Sequence, residues 1–123
     1  MSRPDRPRFA LTTPLYYVNA RPHIGSAYTT IAADAIARYQ RLQGKDVLSI
    51  TGTDEHGQKI QRTAEEQGRD PQDLCDEISG EFRALWEKLN IQFDRYSRTT
   101  DPRHAPIGKE FFARVWAKGD NYT

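Results

Sequence analysis

The run Phe9-Ala10-Leu11-Thr12-Thr13, then apolar residues at helical spacing over 27–42, then Val47-Leu48-Ser49-Ile50-Thr51, constrains this chain more than any other feature. Short apolar, β-branched runs suit strands, whereas apolar residues returning every three or four positions suit a helix. Strand, helix and strand in that order predict an α/β fold with parallel strands. Tyr28, Ala32, Ile36 and Tyr39 recur at intervals of four, four and three, with Ala35 and Leu42 beside them, so that face is expected to pack on the sheet. Gly44 follows as a left-handed helix stop.

In a parallel sheet the segments just past the carboxyl ends of neighbouring strands converge on one crevice, where such folds bind ligands. Two segments are expected there: His23-Ile24-Gly25-Ser26 before the helix, and Gly52-Thr53-Asp54-Glu55-His56-Gly57 after the second strand. The first N–H groups of a helix lack internal partners and carry the positive end of its dipole, so they can hold an anion. His23 and Ser26 add side-chain donors, and Gly25, without a Cβ, lets a base or phosphate approach the backbone. The tetrapeptide alone also fits an ordinary solvated histidine before a helix. Asp54 would face the same ligand as His23 or, alternatively, cap the helix that follows. His23, Asp54, Glu55 and His56 could be imagined as a metal cluster, but there is no Cys-x-x-Cys or His-x-x-x-His pair, and no metal is assigned.

The stretch Pro14-Leu15-Tyr16-Tyr17-Val18-Asn19-Ala20-Arg21-Pro22-His23-Ile24-Gly25, with Gly52-Thr53-Asp54-Glu55-His56-Gly57-Gln58, resembles the amino-terminal part of class I methionyl-tRNA synthetases. The likeness runs from about Phe9 to the last residue. Related synthetases for valine, leucine and isoleucine share a His-x-Gly-His type signature but differ after the second strand, so Thr-Asp-Glu-His-Gly favours methionine. One departure is visible: the fourth signature residue, most often His in the family, is Ser26, which is shorter and cannot carry charge.

The resemblance implies the first half of a Rossmann-like nucleotide-binding fold of HUP type, with parallel strands, followed by helices leading to a connective insertion. It implies a methionine–tRNA ligase that activates methionine with ATP, accompanied by Mg2+, and passes it to tRNA(Met). His23, Gly25, Ser26 and Asn19 would bind ATP, with His23 and Ser26 holding the phosphates as pyrophosphate leaves. Asp54 would pair with the methionine ammonium, and Leu15, Tyr17 and His56 would complete the amino-acid pocket. Zinc-binding cysteines, which the family carries in a later inserted domain, would lie beyond Thr123. A second signature loop, Lys-Met-Ser-Lys-Ser, does not occur here, so the chain is expected to be a truncated catalytic domain that does not act alone. A small nucleotidyltransferase of the same fold and a non-catalytic nucleotide-binding module are the alternatives.

Composition narrows the setting. Mean hydropathy is −0.83, formal net charge is +1, and no apolar run approaches the ~18 residues of a membrane span. A cytoplasmic protein is expected, an organellar one being compatible. Residues 1–8, with Arg3, Arg6, Arg8, Pro4 and Pro7, lack the apolar core of a secretory signal and read as a disordered basic tail before the domain at 9–123. Cys75, the one cysteine, is expected to be a buried, inert thiol on a helix.

The second half reads as scaffold. Asp70-Pro71 starts a helix whose Leu74, Ile78, Phe82, Leu85 and Leu89 form a core stripe. Asp101-Pro102 repeats the start, Ile107, Phe111 and Val115 repeat the stripe, and Gly119 closes it. Residues 93–98 are open between a strand and a loop.

Overall fold

The computed structural model describes residues 6–121; residues 1–5 of the expected tail lie outside that span. Four strands and four helices follow in order: β1 (Arg8–Thr12), β2 (Tyr16–Tyr17), α1 (Ile24–Leu42), β3 (Asp46–Asp54), α2 (Gln58–Glu66), α3 (Pro71–Lys88), β4 (Arg95–Arg98) and α4 (His104–Ala117). The sheet is parallel throughout and β3 is its spine, so the α/β expectation holds. Arg8, assigned to the tail from sequence, is the first residue of β1.

One flank of β3 is shared by two strands. β1 pairs from Arg8 opposite Asp46 to Thr12 opposite Ile50, and β2 resumes with Tyr16 opposite Thr53 and Tyr17 opposite Asp54. Three residues of the first segment therefore oppose two of β3, a one-residue bulge that contains Pro14. Proline has no N–H to give the ladder, so the pairing breaks where it sits. On the other flank β4 pairs from Arg95 opposite Ile50 to Arg98 opposite Thr53, which resolves residues 93–98 as a strand with a short lead-in. Gly52 is demanded by this pairing: a Cβ there would lie 1.8 Å from the Ser97 carbonyl oxygen.

The stripe expected to pack α1 on the sheet does not do so. Tyr28 is 76% exposed and Tyr39 58%, and Ile36 and Leu42 are exposed as well. The buried residues of α1 are Ser26, Thr30 and Ala37. At about 100° per residue they lie half a turn around the helix from the apolar row. Small and hydroxyl side chains let the helix approach β3, whose buried side chains are those of Ser49, Thr51 and Thr53. Their polar atoms are satisfied locally: Thr30 Oγ1 donates to Ser26 O at 2.9 Å and lies 2.7 Å from the Tyr16 hydroxyl.

The apolar core is built mainly from α2 and α3. Val18, Ile60, Ala64, Leu74, Cys75, Ile78, Phe82, Trp86 and Ile91 form one cluster, with Tyr16 packed against it. Tyr16 stacks on Phe82 at 5.3 Å between ring centroids and meets Trp86 at 5.8 Å. In α3 the expected stripe holds for Leu74, Ile78 and Phe82, while Leu89, the C-cap, is exposed. Asp70 accepts from the backbone N–H groups of Gln72 and Asp73, as the Asp-Pro signal predicts. In α4 the stripe fails: Ile107 and Phe111 are exposed, and no residue of this helix is buried. It starts at His104, after a turn in which His104 N–H donates to Asp101 O at 2.8 Å.

Candidate active site

The amino terminus of α1 closes on itself. His23 is its N-cap: Nδ1 accepts from the Gly25 N–H at 3.0 Å. An accepting Nδ1 leaves the proton of the neutral ring on Nε2, so the imidazole offers an N–H outward. Ser26 completes a capping box, its hydroxyl accepting from His23 N–H at 3.1 Å and donating to His23 O at 2.7 Å. Ser26 is 4% exposed and its one hydroxyl proton is used within the box. Its placement is thus that of a residue that holds His23. Gly25 leaves room for the His23 ring: a Cβ there would lie 2.9 Å from its Cε1.

The second segment leaves the carboxyl end of β3. Asp54, its last residue, stands opposite Tyr17 of β2. It does not cap α2, whose N-cap is Gly57 without a side-chain hydrogen bond. The Asp54 carboxylate makes two long contacts, each through Oδ1 at 3.5 Å, with His56 N–H and the Thr99 hydroxyl. His56 Nε2 lies 3.2 Å from Thr99 O, and since a carbonyl can only accept, Nε2 carries the proton and Nδ1 is left as an acceptor.

Glu55, absent from the expected site, is the most strongly held group nearby. Its side chain is wholly buried and takes two contacts from Arg98, Nε to Oε1 at 2.7 Å and Nη2 to Oε2 at 2.9 Å. Thr53 donates to it at 2.6 Å, and Thr100 donates to its other oxygen. Burial by itself pushes the Glu55 carboxyl up, but the hydrogen bonds from Arg98, Thr100 and Thr53 outweigh burial and hold it below its ordinary value. The Arg98 guanidinium is correspondingly held above its own, and it also binds Asp76 of α3. Burial, with the Glu55 charge beside it, pushes the Cys75 thiol up to about 11, so the expected inert thiol is what the fold provides. A buried Glu is rare without a partner. No local signal ties Glu55 to Arg98, which lies on another strand.

A cleft of about 480 Å³ opens beside this segment, lined by Tyr17, Asn19, His56, Gly57, Gln58, Lys59 and Ile60. It brings together Tyr17, Asn19 and His56 of the expected site, and the β2–β3 register sets Asp54 next to Tyr17. Leu15 is half-exposed just before β2. His23, Gly25 and Ser26 stand at the neighbouring helix end and are not among the walls of this cleft. Lys59, in the first turn of α2, is a cation in the wall that the sequence did not single out. Among the described residues no three or more His, Cys, Asp or Glu side chains are grouped to hold a metal ion.

The family described as tRNA synthetases class I (M) matches residues 9–123. A methionine–tRNA ligase of Thermosynechococcus vestitus is 68% identical over 116 residues, 94% of this chain and 22% of the relative. A chloroplastic/mitochondrial methionine–tRNA ligase of Arabidopsis thaliana is 64% identical, over 93% of this chain and 18% of its own length. The chain thus spans about a fifth of the length of these relatives. In three dimensions it is similar to Mycobacterium tuberculosis methionyl-tRNA synthetase in complex with methionyl-adenylate, with a TM-score of 0.90 at 45% identity, over 92% of this chain and 22% of that one. Matched over nearly its whole length, the chain belongs to the methionyl family of class I tRNA synthetases.

Proposed function

We propose that this chain supplies the methionine pocket and one side of the ATP phosphate site of a methionine–tRNA ligase. A methionine carboxylate oxygen attacks the α-phosphorus of ATP. The bond to the bridging oxygen breaks, and pyrophosphate leaves with the electron pair, giving methionyl-adenylate. The terminal hydroxyl of tRNA(Met) then takes the methionyl group and AMP departs. Such transfers need positioning and charge stabilisation more than a covalent nucleophile. His23 donates from Nε2 to the phosphates, Ser26 holds His23 through the capping box, and the helix dipole adds its positive end. Gly25 keeps the backbone close to the nucleotide, Asn19 contacts it from the cleft, and Mg2+ arrives with ATP as part of the substrate. Asp54 pairs with the methionine ammonium, Tyr17 and Leu15 wall the side chain, and His56 offers Nδ1 as an acceptor.

The register that sets Asp54 beside Tyr17 at the carboxyl end of the sheet, next to an open cleft, carries this reading. The match to the methionyl family over residues 9–123 favours it over a small nucleotidyltransferase. The bacterial and the chloroplastic/mitochondrial relatives fit work in the cytoplasm or in an organelle.

The test is methionine-dependent ATP–pyrophosphate exchange by the product of the full reading frame. Asp54→Asn should raise KM for methionine roughly tenfold or more, the usual worth of a hydrogen bond to a charged group. His23→Ala should instead lower kcat about a hundredfold, as removal of one oxyanion donor does. Small and equal effects of the two would sink the assignment.

A further inference from the structure

Asp54 is loosely held by its own contacts, both at 3.5 Å, so its aim is set by the backbone on either side of it. That backbone is clamped from Thr99, the residue that follows β4. Thr99 N–H donates to Thr53 O at 3.3 Å, Glu55 N–H donates to the Thr99 hydroxyl at 2.8 Å, and His56 Nε2 reaches Thr99 O at 3.2 Å. Successive side chains of an extended chain point to opposite sides. Glu55 therefore turns inward where Asp54 turns toward the cleft side, and whatever anchors the first orients the second. The anchor is Arg98, whose planar fork binds both Glu55 oxygens while its Nη2 also meets Asp76 of α3. This single side chain ties the end of β3 to β4 and α3 directly beneath the acid.

We propose that Arg98 is a positioning residue for methionine recognition, fixing through Glu55 the path of the chain that presents Asp54. The proposal rests on the reading of Asp54 as the partner of the ammonium. Arg98 touches no substrate in it.

The experiment is the same exchange assay on the product of the full reading frame, with Arg98→Met, Arg98→Lys, Asp54→Asn and the double variant Asp54→Asn/Arg98→Met. Arg98→Met should raise KM for methionine about tenfold while KM for ATP stays within about twofold, within the range of couplings between contacting residues. The double variant should bind methionine no worse than Asp54→Asn alone, because a misplaced acid and an absent one lose the same contact. Arg98→Lys, which keeps the charge without the fork, should recover part of the loss. Additive effects in the double variant, or equal rises in the two KM values, would show a merely structural role and overturn the proposal. If Arg98→Met does not fold by circular dichroism, Thr100→Val, which removes one Glu55 donor, carries the same test with a rise of about threefold. An unaltered KM in Asp54→Asn would remove the underlying reading of the site. A normal Asp54→Asn response beside an unaltered Arg98→Met would overturn this inference alone.

Discussion

His23 turns one ring nitrogen back on its own helix and leaves the other outward, so one residue both ends a structural element and presents a donor. Ser26 makes that possible, since its hydroxyl binds both backbone polar groups of His23. Ser26→Ala should therefore lower stability by about 1 kcal/mol, the usual worth of a cap, read as a shift of the urea midpoint at unchanged m-value. No shift would mean that the box carries no energy. The candidate residues of this helix end were legible because a strand followed by a helical repeat marks where the helix begins. Their division of labour was not, because a serine with a free hydroxyl and one engaged in a box have the same letter. Glu55 was passed over for a related reason: its partner Arg98 is 43 positions away.

Among the elements, α3 and α1 show where periodicity succeeds and where it misleads. The Asp70-Pro71 start and the row Leu74, Ile78, Phe82 behave as their spacing predicts, since one strongly apolar face has a core to enter. In α1 two faces compete, and the one against β3 is made of Ser26, Thr30 and Ala37, because small side chains allow close approach. Hydropathy selects the wrong face there, and α4 likewise carries an apolar row that meets no core. At β3 the controlling residue is Gly52, which admits the backbone of β4. Gly52→Ala puts a methyl where the Ser97 carbonyl stands, and neither backbone can give way without breaking the β3–β4 ladder. The expected cost is about 3 kcal/mol, at the upper end of overpacking, measured by thermal or urea unfolding. A loss below about 0.5 kcal/mol would show that β4 does not lie that close.

For the whole molecule, the ion pair that joins β3, β4 and α3 sets how the fold responds to acid. The Glu55 carboxyl is held below its ordinary value of 4.5, net of a burial that alone would raise it. A depressed carboxyl contributes stability above its unfolded value, and that contribution drains away as pH falls through the folded one. The midpoint of unfolding should thus drop as pH falls below about 5, and Glu55→Gln should flatten that drop while lowering stability at pH 7. An equally steep acid limb in Glu55→Gln would assign the pH dependence to other groups. The sequence by itself determined the parallel α/β plan, the helix start at Asp70-Pro71, the two segments at the carboxyl ends of the strands and the family likeness, because each is written in short spacings along the chain. Only the tertiary structure decided which face of α1 is buried, why Gly52 is glycine, what employs the Ser26 hydroxyl and which arginine holds Glu55. The Ser26 hydroxyl is settled by the local path of the backbone and the others by contacts between residues far apart in the chain, where burial and hydrogen-bond geometry outweigh local preference.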